Sequence, residues 1–158
     1  MKRQLIEKLL AHLNAELDML RASAAVVAQA ATHEESRPEN KYDTRGLEAS
    51  YLAGAQAARI RELAGTISQL ANMKLKSFAP DDPIEVSALI ELEHQDQISH
   101  YFLVPVGAGI RIEMNGMEIV TLTISSPMGK NLISKSVSDF VSLQTPQGAK
   151  EYEILSVK

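Results

Sequence analysis

EESRPENKYDTRGLE, residues 34–48, holds eight charged side chains in fifteen positions and separates two long stretches of helical period. Pro38 has no amide hydrogen and disfavours helix at Arg37 before it, so the chain must turn here. Either Asp43 or Thr44 is placed to cap a following helix, and Glu48 lies where a first-turn carboxylate answers such a cap. If the flanking helices pair antiparallel, residues 34–48 become the far tip of a hairpin, a charged end held away from any globular body.

Upstream, Lys2 to Ala31 contains neither Gly nor Pro, and Ile6, Leu10, Leu13, Leu17, Leu20, Ala24, Val27 and Ala31 recur at spacings of four and three. That is the a/d seam of a coiled coil. About 30 helical residues make a rod of roughly 45 Å, so one face has to be covered by a partner helix. Downstream, a second helix is expected from about Arg45 to about Lys74, with Ala49, Ala53, Gln56, Ile60, Leu63, Ile67 and Leu70 in the same spacing. Small residues then face small ones near the tip and large face large near the base. Gly46, Gly54 and Gly65 each cost this helix up to about 1 kcal/mol, and we read them as close-packing or terminal positions. The short connection between two equally long seams favours an intramolecular hairpin over a dimeric coiled coil, and the expected state is a monomer.

The prolines and acids of Ser77 to Pro83 cannot continue the helix and mark a hinge between a hairpin domain, residues 1–76, and a second domain, residues 84–158. Beyond the hinge the period changes to two. Ile84 to Leu92 and Ile98 to Val106 read as strands, and Asn115-Gly116 joins Ile110–Met114 to Met117–Ile124 as a type I′ hairpin. Ser126 with Pro127 reads as the start of a short helix reaching Ile133, and Val137–Thr145 and Lys150–Val157 as two last strands. The fold class is α+β: an N-terminal antiparallel coiled-coil hairpin, then a small, mostly antiparallel sheet with one short helix.

Composition narrows the function classes. With no cysteine, disulfides, thiolate metal sites and thiol nucleophiles are excluded. The net charge of -4 is unevenly divided, with 11 Lys/Arg against 9 Asp/Glu in residues 1–79 and 5 against 11 in residues 80–158. A freestanding nucleic-acid binder carries a strong basic patch, so contact with RNA or DNA is expected only inside a larger complex. No apolar run reaches the roughly 20 residues of a membrane span, and Met1 to Lys8 mixes an acid with bases where a signal peptide is apolar. The expected location is the cytoplasm, with no membrane partner. His12, His33, His94 and His100 show no ligand spacing, and no serine sits in a nucleophile elbow. A self-sufficient active site is not expected. Glu34, Glu35, Glu39 and Asp43 bring hard oxygens, the ligand type of Mg²⁺, within ten residues. Alone such a loop is solvated charge; at the end of a rod it can carry one or two carboxylates to a metal held elsewhere.

The second half carries a more specific signal. Ile124-Ser-Ser-Pro-Met-Gly-Lys-Asn-Leu-Ile-Ser-Lys135, Val137 to Val141, and Thr145-Pro-Gln-Gly-Ala-Lys-Glu-Tyr-Glu-Ile-Leu-Ser-Val157 resemble the closing half of the FKBP-like domain of the bacterial Gre transcript cleavage factors. The resemblance implies that the sheet domain docks on RNA polymerase, with Ser126, Pro127, Met128 and Gly129 as docking candidates. It implies equally that the hairpin enters the secondary channel, where tip acids help hold a Mg²⁺ of the polymerase. Backtracked RNA is then cut at its 3′ end by the polymerase itself, and the factor is an accessory, not an enzyme, binding no cofactor alone. On this chain the inherited tip pair is Glu39 and Asn40, with Glu35 or Asp43 as the second acid and Tyr42 and Arg45 as support. Glu39 and Glu35 are the expected metal ligands. Ser36 stands where the family carries an Asp, Tyr42 follows Asn40 by two residues instead of three, and Pro38 is an addition. Two readings follow, a cleavage factor or a channel-occupying regulator without cleavage. A proline isomerase is a weaker third, since residues 80–158 hold only Phe102, Phe140, Tyr101 and Tyr152 as aromatics.

Overall fold

Lys2–Ala31 (α1) and Arg45–Ala71 (α2) are the two long helices of a hairpin in the computed structural model, which describes residues 1–31 and 45–158. There follow β1 (Leu89–His94), β2 (Gln97–Val104), β3 (Arg111–Met114), β4 (Met117–Thr123), α3 (Pro127–Leu132), β5 (Phe140–Thr145) and β6 (Gly148–Val157). The strands form one sheet in the order β3-β4-β2-β1-β6-β5. Only β2 and β4 run parallel, through His100↔Ile119 to Val104↔Thr123. The expected α+β architecture is present, with a helical hairpin followed by a mostly antiparallel sheet and one short helix.

The chain divides into two compact units, Leu10–Ser68 and Met1–Leu9 with Gln69–Lys158. In the first, Leu13 and Leu17 are buried and Leu20, Ala24 and Val27 half-buried, as the seam requires. Ala49, Gln56, Ile60, Leu63 and Ile67 are half-buried on α2, whereas Ala53 is exposed. Glu16 Oε1 and Arg59 form an ion pair between the arms at 3.2 Å. The reading of Gly54 and Gly65 as close-packing positions is corrected: a methyl group at either meets nothing within 4 Å.

At its base the seam is also corrected. Leu5 and Leu9 are completely buried, while Ile6 and Leu10 are half-buried. The first nine residues belong to the unit that holds the sheet, so the helix buries there a line turned by one residue, about 100° of the helical wheel.

Within that sheet unit, alternation sorts side chains onto two faces. Ile90, Leu92, Leu103 and Ile154 join Met128 and Leu132 of α3 in one core. Phe102, Ile112, Ile119 and Thr121 are buried on the other face, held in register by Ile112↔Ile119 and Phe102↔Thr121. Three successive β2 residues, Phe102 to Val104, are therefore buried, because this strand is central and covered on both sides. Leu5, Leu9 and Leu70 are the fully buried apolar residues that the helical base brings to this unit. Lys8 Nζ donates to the carbonyl of Glu113 on β3 at 3.0 Å.

Two strands begin later than the alternation indicates. β1 starts at Leu89 and not Ile84: the amide of Ile84 donates to Lys135 O at 2.7 Å, and Ser87 turns the chain with φ +78°. β5 starts at Phe140 and not Val137, because Asp139 accepts from the amide of Ser136 at 2.9 Å and Ser138 has φ +70°. The Asn115-Gly116 turn is as expected, with φ of +54° and +77° and Met114↔Met117 closing the pair. A second two-residue hairpin turn, Gln95-Asp96, has φ of +53° and +61° between His94 and Gln97.

Candidate functional site

Glu34, Glu35, Ser36, Pro38, Glu39, Asn40, Tyr42 and Asp43 lie outside the described residues, as does the cap of α2 whether Asp43 or Thr44 supplies it. Arg45 is the first residue of α2, and Glu48 sits in its first turn. On the arm that follows the tip stretch, Leu47 and Tyr51, one helical turn apart, are 59% and 73% exposed. Among the described residues no group of three or more His, Asp or Glu is placed to hold a metal ion. No described helix is long and apolar enough to cross a membrane.

The four docking candidates occupy the start of α3, and local structure accounts for each residue type. Ser126 is the N-cap: its hydroxyl accepts from the amide of Gly129 at 3.1 Å and donates to the carbonyl of Thr123 at 2.7 Å. Pro127 takes the first helical position, where its missing amide hydrogen costs nothing. Met128 is buried in the core, and a Cβ at Gly129 would overlap the carbonyl oxygen of Thr123. Pro127 is exposed and Ser126 half-buried, so these two present the helix start to solvent.

Sequence reasoning missed a polar cluster at the base of α1. The Lys2 ammonium donates to the main-chain oxygens of Lys76, of Ser87 at 3.1 Å and of Lys158 at 3.0 Å, and lies 4.8 Å from the centre of the Phe78 ring. Partial burial pulls the amine below its ordinary 10.5. In the sequence Lys2 is only the first residue of a helical pattern, and nothing local marks its partners, which are 74 to 156 positions away.

A second cluster lies on the sheet. Glu91 Oε2 accepts from the Ser156 hydroxyl at 2.6 Å, and Oε1 stands 3.3 Å from Lys158 Nζ and 3.6 Å from His100 Nε2. The hydrogen bond from Ser156 and the charge of Lys158 hold this carboxyl below its usual range, against the opposing effect of burial. His94 is accounted for structurally: Nδ1 lies 2.7 Å from Glu151 O, and its ring packs on Tyr152 with centroids 5.0 Å apart.

Residues 80–158, half of the chain, match the family described as "Transcription elongation factor, GreA/GreB, C-term". The transcription elongation factor GreA of Xanthomonas campestris is 28% identical over 153 residues, covering 92% of this chain and 90% of its own. GreA of Chlorobaculum tepidum is 28% identical over 133 residues, 83% of this chain and 77% of its own. Among solved structures, Thermus aquaticus Gfh1 is 26% identical and covers 93% of this chain and 92% of its own, with a TM-score of 0.41. With the match spanning every strand of the sheet, the SPMG helix start and the closing β5–β6 hairpin, the chain belongs to the GreA/GreB family of transcription elongation factors.

Proposed function

We propose that this factor acts on RNA polymerase as an accessory that brings the acids of its 34–48 stretch to the polymerase's catalytic centre and promotes hydrolysis of backtracked RNA there. The observation that carries this reading is the family match over residues 80–158 combined with two long helices that bracket a charged, proline-containing stretch. Docking on the polymerase falls to the sheet unit; RNA and DNA are met only inside the elongation complex, in keeping with the acidic charge of residues 80–158. Such a factor works where the polymerase is, in the cytoplasm.

The tip's donor set suits the task. Glu35, Glu39 and Asp43 offer hard carboxylate oxygens, the ligand chemistry of Mg²⁺, and such an ion shares its ligands with substrate or a second protein. In this reading Glu39 and Glu35 are the residues that would hold the polymerase's ion. A bound ion of this kind supplies activation of water and stabilisation of the charge that develops on phosphate. Asn40, Tyr42 and Arg45 are the supporting residues of the tip in this reading, and catalysis of this kind depends on how closely the acids are placed.

Stalled elongation complexes with wild-type factor and with Glu39→Ala provide the test. The wild type shortens the RNA at its 3′ end, and Glu39→Ala reduces that rate at least about tenfold while still binding polymerase. Equal shortening by both proteins removes Glu39 from the chemistry. Binding without shortening by either identifies a regulator that occupies the polymerase without cutting.

A further inference from the structure

Three main-chain oxygens converge on the Lys2 ammonium from separate parts of the chain: Lys76 in the segment after α2, Ser87 in the turn before β1, and Lys158 beyond β6. An ammonium has three N–H donors and no acceptor, so these oxygens satisfy it completely. Each acceptor is fixed independently of Lys2. Ser87 is fully buried with φ +78°, and its hydroxyl accepts from the amide of Lys76 at 2.9 Å. Lys158 exchanges both main-chain hydrogen bonds with Leu89, each 2.9 Å long. An ordinary surface lysine, mobile and hydrated, meets no such prearranged cage.

We infer that Lys2 is a positioning residue of α1, its ammonium fixing the origin of that helix within the sheet unit. Its consequence for cleavage rests on the function proposed above; the anchoring itself does not. α1 is one uninterrupted helix from Lys2 to Ala31, and Lys2 holds its first turn. Catalytic groups do not tolerate displacement; about 1 Å can cost a hundredfold.

The test uses the full chain, which has no cysteine of its own. Lys2→Cys is prepared as the free thiol, as the neutral methylthio adduct, and after alkylation with 2-bromoethylamine, which restores an ammonium at the length of lysine. Amide exchange of Leu5 to Leu9, whose helical hydrogen bonds begin with Leu5 N to Met1 O, reports on the anchor. The two neutral forms exchange there at least about tenfold faster than wild type, and the aminoethylated form returns to within about twofold. In stalled complexes the neutral forms lose at least about fivefold in cleavage rate at saturating factor, with half-saturation changed less than about twofold, and aminoethylation restores the rate.

Unchanged exchange in the neutral forms, or a change that aminoethylation does not reverse, overturns the anchor. Altered exchange with an unaltered saturating rate overturns its part in cleavage. Absence of cleavage by the wild type instead refutes the function proposed above, and the exchange measurement still decides whether Lys2 anchors the helix.

Discussion

Ser156 donates its hydroxyl to Glu91 at 2.6 Å where the β1–β6 register shifts, so that Leu155 stands as the extra residue between Ile154↔Leu92 and Ser156↔Glu91. The bulge turns Ser156 onto the carboxylate, and Lys158, two residues on, reaches its other oxygen at 3.3 Å. Because these partners hold the Glu91 carboxyl below 4.5, the native state binds this proton less readily than the unfolded chain. The resulting stability is present above about pH 4.5 and is lost as pH falls through the lower native value. Urea unfolding should show Glu91→Gln less stable than wild type by about 1–3 kcal/mol at pH 7, with the gap closing as the pH is lowered below 4.5. A gap independent of pH sinks this account.

Phe102 is completely buried in the central strand. Truncation to Ala removes its transfer energy and leaves a cavity, for an expected loss of about 3–5 kcal/mol. Chemical denaturation measures it; a loss below about 1 kcal/mol means the face is not packed as described.

The start of α3 separates folding from docking. Ser126→Ala deletes the cap and should cost about 1 kcal/mol, and Gly129→Ala should cost more, about 1–3 kcal/mol, since a methyl group collides with the Thr123 carbonyl. Thermal unfolding orders the two. If Ser126→Ala binds polymerase as wild type does, the cap serves the fold alone.

Gly54 and Gly65 lie inside α2 facing open space. Replacing Gly65 with Ala should stabilise the protein by about 0.5–1 kcal/mol, through helix propensity and the entropy of the unfolded chain. A lower melting temperature for Gly65→Ala would reveal a contact on that face that the isolated chain does not make.

Features that repeat locally were legible in the sequence. The spacing of Leu13, Leu17, Leu20, Ala24 and Val27 marked the seam, and Asn115-Gly116 marked its turn because both positions need positive φ. Gln95-Asp96 makes the same kind of turn with residues that do not announce it. Ser87 breaks the alternation that runs on from Ile84 in the sequence, since a turn with its apolar residues four apart, Ile84 and Ala88, buries both just as a strand would. What the sequence could not show is long-range: which leucines of α1 serve the sheet unit, and which three oxygens receive Lys2. For the tip, residue types pointed to a chemistry and the described structure supplies its two flanking helices.

The unit that holds the sheet takes its first nine residues from the start of the chain and the rest from Gln69 onward. On the ribosome, those opening residues emerge early and must wait for the final strand before Lys2 can meet Lys158. The hairpin arms can zip together long beforehand, because their contacts are nearer in sequence. Trimming the gene at the prolines near residue 80 would therefore not release a finished module; it would discard Leu5, Leu9 and Leu70, which the remainder needs as its lining.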